Sequence, residues 1–144
     1  MEIVPARTAD EAKIKELLAN CELPTSDLYL VSLEFFLTIW EATSLVGVVG
    51  LQAFGKTGLL RSLAVHPDQR GHGYGTQLTA QIEQRARDSG VKTLYLLTTT
   101  AENFFAAQGY ARAERGSAPP EIQATAEFRD LCPYSAILMI KTLA

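Results

Sequence analysis

The chain has 144 residues, 47% of them apolar and 20% charged, with 13 basic against 16 acidic side chains and a net charge of −3. That length suits a single domain over residues 1–144 with its own core, and the charge balance, with no basic run, argues against a nucleic-acid partner. The longest run of apolar residues and glycine, residues 45–51, is far too short to cross a bilayer, so no membrane partner is expected.

Residues 2–6 predict a short strand. Glu2 and Arg7 flank its apolar residues, a pattern unlike a signal peptide. Thr8-Ala9-Asp10-Glu11 has the form of a capping box, Thr8 at the N-cap and Glu11 at N3. Ile14, Leu17, Leu18 and Cys21 come next at helical spacing and predict an amphipathic helix over residues 9–20. Residues 23–27 break it and leave room for a brief second helix. Residues 35–40 predict a strand, 42–44 a turn, and 45–54 a strand so continuously apolar that both faces should be buried. Residues 55–58 turn the chain into a central strand over 59–66.

Pro67 ends that strand, because it has no N–H for a ladder. The loop Arg70-Gly71-His72-Gly73-Tyr74-Gly75 lies just beyond it. Glycines there let the backbone take positive φ and come close to a ligand. The orphan N–H groups of a first helical turn, with the positive end of the helix dipole, attract anions. Strand, glycine loop and helix start together predict a phosphate cradle; a plain glycine-rich turn is the alternative. The helix itself is well marked. Tyr74, Leu78, Ile82 and Ala86 form one stripe, Gln77, Gln81, Arg85 and Asp88 face elsewhere, and Gly90 suits a left-handed C-terminal cap.

Residues 93–97 predict a strand, and 101–108 a short helix capped by Thr100 and carrying Phe104 and Phe105. Residues 110–114 predict another strand. Pro119-Pro120 opens a helical stretch to about residue 131, Pro133 ends it, and 136–142 form a last strand. The strand–helix–strand unit at the centre predicts an α/β architecture, a mixed sheet with helices on both faces.

Arg70-x-x-Gly73-x-Gly75 in this setting resembles the acetyl-CoA-binding motif of the GNAT N-acetyltransferase superfamily. Phe104-Phe105-x-x-x-Gly109-Tyr110 is similar to that family's aromatic pair followed by Gly-Phe, and the element order matches over the whole chain. The resemblance implies a mixed, mostly antiparallel sheet of six or seven strands flanked by helices. It implies acetyl-CoA as co-substrate, no metal, and direct transfer to an amine. Leu63, Ala64 and Val65 would meet the pantetheine arm, and Arg70, Gly71, His72, Gly73, Tyr74, Gly75 and Thr76 the pyrophosphate, with Phe104 and Phe105 alongside. Backbone N–H groups at Leu63 and Val65 would hold the oxyanion. The family often has a tyrosine four residues before the glycine, serving the leaving thiolate; here that position is Phe105, which has no proton to give. Water then supplies it, a light task for a thiol of pKa about 8.5.

Three further segments are similar to a subgroup associated with arsenic-resistance operons. They are Gly58-Leu59-Leu60-Arg61-Ser62-Leu63-Ala64-Val65, Tyr95-Leu96-Leu97-Thr98-Thr99-Thr100-Ala101 and Thr125-Ala126-Glu127-Phe128-Arg129-x-Leu131-Cys132-Pro133, with Leu23-Pro24-x-x-Asp27 beside them. This implies a small amino-acid-like acceptor, acidic or arsenic-containing. Arg61, Arg112, Arg115 and Arg129 are arginines that could hold its anionic group by bidentate bonds. The base candidates are His66, Glu34, Glu41 and Glu127, since Gln52 stands where relatives often have Glu and an amide cannot take a proton. His72 is expected at a CoA phosphate.

Cys21 and Cys132 stand far apart and suit free thiols in a reducing cytoplasm. Cys21 is expected in the core of its helix. Cys132 is expected to be packed, with ligation of a trivalent arsenical by its soft thiolate as the alternative. Gly50-Leu51-Gln52-Ala53-Phe54-Gly55-Lys56-Thr57 matches the Walker A pattern, yet it leads into a strand at the point where that motif needs a helix. Two rival functions remain: a sensor that binds acetyl-CoA without turnover, and an acetyltransferase of peptides or proteins. Pairing of the last strand between protomers is the expected route to a homodimer.

Overall fold

The computed structural model describes residues 2–26, 33–131 and 135–143. Seven strands form one sheet in the order β1-β2-β3-β4-β5-β7-β6. They are β1 Ile3–Pro5, β2 Phe36–Glu41, β3 Ser44–Phe54, β4 Thr57–Val65, β5 Thr93–Thr98, β6 Ala111–Ala113 and β7 Ile137–Thr142. The helices are α1 Glu11–Asn20, α2 Tyr74–Asp88, α3 Glu102–Ala107 and α4 Pro120–Gln123. Among the described residues, β4 and β5 make the one parallel pair and the others are antiparallel. This is the mixed, mostly antiparallel sheet that the family resemblance implies.

Burial obeys the sequence pattern. Residues 45–51 of β3 are buried throughout, as a strand covered on both faces must be. Leu78, Ile82 and Ala86 of α2 pack with Val49, Leu51 and Leu60 on one face. Ile14, Leu17 and Leu18 of α1 pack with Phe36, Val48 and Ala64 on the other. That second face also receives Ile122 of α4 and Phe128, set against Leu59 and Leu138. Each fully buried Leu or Ile here contributes roughly 2 kcal/mol relative to exposure.

Local details differ from the sequence reading in instructive ways. The capping box sits one residue early: Asp10 Oδ2 accepts the Arg7 backbone N–H at 2.8 Å, and a 3-10 turn, Thr8–Asp10, leads into α1. Burial pushes the Asp10 carboxyl up, but the hydrogen bonds and charge of Arg7 outweigh it and hold it below its ordinary value. Thr98 rather than Thr100 serves α3, its Oγ1 accepting from Ala101 N–H at 3.0 Å. The stretch from Pro119 is not one helix. Thr125 Oγ1 donates to the Ile122 carbonyl at 2.7 Å and accepts from Phe128 N–H at 3.2 Å, so its side chain competes with the ladder. A π-helical turn, Glu127–Leu131, comes after it. The Walker-like segment is the β3–β4 hairpin, Phe54 opposite Thr57 with Gly55 at φ 70° in the turn, and it leads into β4 rather than a helix. The last strand is not at an edge. β7 lies between β5 and β6, which removes the simple pairing route to a dimer along β6. The brief helix expected after Ser26, and Cys132 with Pro133, lie outside the described residues.

One buried polar cluster ties the elements around the cleft together. Glu83 of α2, 5% exposed, accepts from Tyr110 Oη at 2.9 Å and from Lys141 Nζ of β7 at 2.9 and 3.1 Å. Lys141 Nζ also donates to the Gln108 carbonyl at the end of α3, at 2.8 Å. Burial, then the Glu83 charge and hydrogen bond, hold the Tyr110 phenol well above its ordinary pKa.

Replacing Lys141 by Met leaves the Glu83 carboxylate to Tyr110 Oη at 2.9 Å and Arg87 at 4.0 Å, and urea unfolding should show a loss of about 2 kcal/mol. A phenol raised in the folded state keeps its proton where the unfolded chain has lost it. Its contribution is therefore full below about pH 10 and lost as pH rises further. Stability measured from pH 9 to 11 should fall, with a shallower slope for Tyr110→Phe.

Candidate active site

Parallel pairing of β4 with β5 ends at Leu59 opposite Tyr95, although β4 continues to Val65 and β5 to Thr98. Beyond that point the two strands part. On its other edge β4 is irregular too. Val48 faces Ala64 and Gly50 faces Arg61, so Ser62 and Leu63 together stand opposite Val49. This is a β-bulge, and it takes residues out of the ladder. Ser62 adopts φ 60°, a left-handed conformation that costs a non-glycine residue roughly 1–3 kcal/mol.

A cavity of about 790 Å³ occupies the opening. Residues 60–65 of β4 form one wall and residues 96–101 the other, with Phe104 and Phe105 of α3, the start of α2 and residues 21–26 completing it. That volume lies in the range of a small-molecule or cofactor site.

One end of the cavity is the predicted cradle. Gln77 N–H donates to the Gly73 carbonyl at 3.0 Å, so the N–H groups of Tyr74, Gly75 and Thr76 precede the first intrahelical bond of α2. Gly73, the N-cap, has φ 78°, and no heavy atom lies within 4 Å of where its Cβ would be. Arg70 lines the same end, its Nε donating to the Val65 carbonyl at 3.2 Å. Open space over three helix-start amides, beside an arginine, fits a pyrophosphate.

The other end holds an ion pair. Glu127, on the π-helical turn, places Oε2 3.2 Å from Arg61 Nε, with side-chain exposures of 7% and 0%. Arg61 Nε donates to Ser62 Oγ at 3.0 Å, and another guanidinium nitrogen donates to Gln52 Oε1 at 3.3 Å. The inner wall thus carries two opposite charges that offset each other.

The fold brings most of the predicted residues to this one cavity: Leu63, Ala64, Val65, Arg70, Gly71, Gly73, Tyr74, Gly75, Thr76, Phe104, Phe105, Arg61 and Glu127 all line it. Other candidates stand elsewhere. His66 is spent at the end of β4, its Nδ1 accepting from Asp68 N–H at 3.1 Å, and it does not line the cavity. His72 is exposed and lies against Tyr74, ring centroids 5.7 Å apart. Glu41 is exposed at the β2–β3 turn, opposite Ser44. Arg112 is exposed and pairs with Glu102 at 3.3 Å, and Arg129 is exposed on the π-helical turn; neither lines the cavity. Arg115 is structural, donating to the Ala136 and Phe128 carbonyls at 3.2 and 3.0 Å. The side chain of Glu34 lies outside the described residues.

Val65 stays in register opposite Gly47, and its carbonyl accepts from Arg70. His66 N–H donates to the Val46 carbonyl at 2.8 Å, so Val65 and Gly47 form a non-hydrogen-bonded pair and the Val65 N–H points away from β3. Cys21 packs against the α1 core cluster as expected but is only half-buried and also lines the cavity, Sγ 3.7 Å from the Val65 carbonyl. The wall formed by Thr98, Thr99 and Thr100 escaped the sequence reading, though three threonines in a row at a strand end were its signal.

A family model described as the acetyltransferase (GNAT) family matches residues 9–116. An amino-acid acetyltransferase of Ectopseudomonas mendocina is 49% identical over 53 residues, which is 37% of this chain and 12% of that protein. One from Serratia proteamaculans is 38% identical over 69 residues, 48% of this chain and 16% of that protein. The chain thus matches only a small part of the length of these curated relatives. Among solved structures, N-acetylglutamate synthase from Neisseria gonorrhoeae, complexed with coenzyme A and N-acetyl-glutamate, superposes with a TM-score of 0.84 at 22% identity. That match covers 99% of this chain and 35% of that one. Rv2747 from Mycobacterium tuberculosis, in complex with CoA and NLQ, gives 0.83 at 24% identity, covering 100% of both chains. At these identities the likeness speaks for the fold.

The geometry at Gly73 sets a test of the cradle. A valine there meets no protein atom but must take positive φ, so Gly73→Val should lose only about 1–2 kcal/mol of stability. Its Cβ branches would project into the space above the helix-start amides. Titration calorimetry should show CoA affinity reduced at least tenfold, with circular dichroism unchanged.

Proposed function

The chain belongs to the acetyltransferase (GNAT) family, and on that premise we propose that it transfers the acetyl group of acetyl-CoA to the amine of a small amino-acid-like acceptor. One observation carries this reading. A single cavity runs from an anion cradle at the start of α2, along a wall with a bulge, to a buried ion pair. The cradle residues Arg70, Gly71, Gly73, Tyr74, Gly75 and Thr76 hold the pyrophosphate of the co-substrate. The exposed backbone of Leu63, Ala64 and Val65 meets its pantetheine arm, beside Phe104 and Phe105.

Acyl transfer needs a nucleophile, a donor for the oxyanion and a way out for the leaving group. The amine attacks directly in a ternary complex. The donors are the backbone N–H groups of Leu63, at the bulge, and Val65, which points away from β3; such donors, being backbone, are insensitive to side-chain substitution. Phe105, packed edge-on against Phe104 and Tyr110, has no proton for the thiolate, so water supplies it. The acceptor we favour is the α-amine of an acidic or arsenic-containing amino acid. Support comes from the segments shared with the arsenic-operon subgroup and from the similarity to amino-acid acetyltransferases.

The test is thiol release from acetyl-CoA with L-glutamate and with phosphinic and arsonic analogues, beside a CoA titration. Turnover of at least about 1 per second with one of them, in the usual range for enzymes, is the expected result. CoA binding without thiol release from any amine would turn the reading to a sensor. Absence of CoA binding would end it.

A further inference from the structure

The Arg61–Glu127 pair is an unusual thing to build into a cavity wall. Taking two ions out of water costs several kcal/mol each, and apolar side chains of similar volume serve stability as well or better. Arg61 is fully buried on β4, which runs directly into the bulge two residues on. Its guanidinium is already engaged by Glu127, Ser62 and Gln52, so it is not set out to bind an acceptor's anionic group. What it does is hold a carboxylate on the wall. Among the described lining residues the acids are Glu22 and Glu127, and Glu22 is exposed at the rim while Glu127 is buried.

We propose that Glu127 is the group that receives the acceptor's ammonium and takes its proton, with Arg61 as the positioning residue that fixes Glu127 in place. This rests on the acetyl-transfer reading above. It also names the acceptor's chemistry at this end of the cavity: an aliphatic amine that arrives charged.

The protons balance. The ammonium gives one proton to the Glu127 carboxylate, and the neutral amine attacks the thioester carbonyl. The C–N bond forms, the oxyanion rests on the Leu63 and Val65 N–H groups, and the C–S bond breaks as it collapses. The attacking nitrogen loses its second proton, by way of water, to the departing thiolate. Glu127 returns its proton to solvent, so ammonium and acetyl-CoA give the amide, free CoA and one released proton.

The charged group set against Glu127 is Arg61 from β4, while Arg115 stacks on the adjacent Phe128 and binds its carbonyl. Glu127→Gln keeps size and shape. With acetyl-CoA and the amine of the above panel that turns over best, kcat should fall at least about 100-fold, the weight of a general base. The KM for acetyl-CoA should stay within about twofold. The variant's rate should climb with pH as solvent deprotonates the amine, while the parent's levels off at lower pH; a merely structural glutamate would leave the two profiles with the same shape. Arg61→Met should lower kcat, with partial rescue in Arg61→Lys. Glu127→Asp, which keeps the carboxylate but draws it back, gives a second reading should the glutamine variant not fold; a loss of about tenfold in kcat at unchanged acetyl-CoA KM is expected. A folded glutamine variant with kcat within threefold of the parent, or an aspartate variant with no loss, overturns the proposal while leaving acetyl transfer intact. Failure of the unaltered protein to release thiol with any amine overturns both.

Discussion

Two neighbouring strands that stop pairing leave rows of N–H and C=O groups facing a gap, and such groups need partners. β4 and β5 part after Leu59 and Tyr95 in this way, and the active cavity is the space they leave. The bulge at Ser62 and Leu63 interrupts the β3 ladder on the other edge of the same strand. Holding Ser62 at φ 60° is unfavourable by itself. It persists because β3 and the rest of β4 are locked in register on either side, and because a buried arginine next to it bonds its hydroxyl.

The electrostatics of the cavity arise from the same strand. Toward its C-terminal end β4 delivers the chain to a loop whose arginine folds back on Val65 and whose glycines uncover the first turn of α2. Positive potential collects there, which suits a polyanion. Toward its middle the same strand carries Arg61, with that charge offset by Glu127. A polyanion is drawn to one end, and the other presents a balanced pair with a carboxylate on the wall. That polarity runs along β4 from the loop at Arg70 back to Arg61.

A cavity between parted strands stays open only if the elements around it are held. Glu83, Tyr110 and Lys141 do this from behind the wall. They join α2, which starts at the cradle, to the end of α3, which carries Phe104 and Phe105, and both to β7. A tyrosine rather than a phenylalanine at position 110 makes the link possible, since its hydroxyl reaches the buried carboxylate. Phe105, edge-on to Tyr110, passes that fixed position on to the cavity.

The cradle, the helix behind it and the sheet class were legible in the sequence because each depends on local chemistry. Glycines at 71, 73 and 75, a proline at 67 and an apolar stripe at helical spacing say nearly the same thing in any tertiary setting. The base candidates could not be sorted in that way. His66 reads as well placed beside the loop, yet the turn at Asp68 takes its ring nitrogen. Arg112 and Arg129 read as equal to Arg61, yet they face solvent while Arg61 is sealed in the wall. Glu127 lies 66 positions beyond Arg61 in the chain, and only the π-helical turn, shaped by Thr125 competing for the backbone, brings the two within 3.2 Å. Short-range pattern thus determined the glycine cradle at the start of α2. Long-range contact alone decided which carboxylate reaches the inner wall of the cavity, because no periodicity encodes a pairing between residues that far apart.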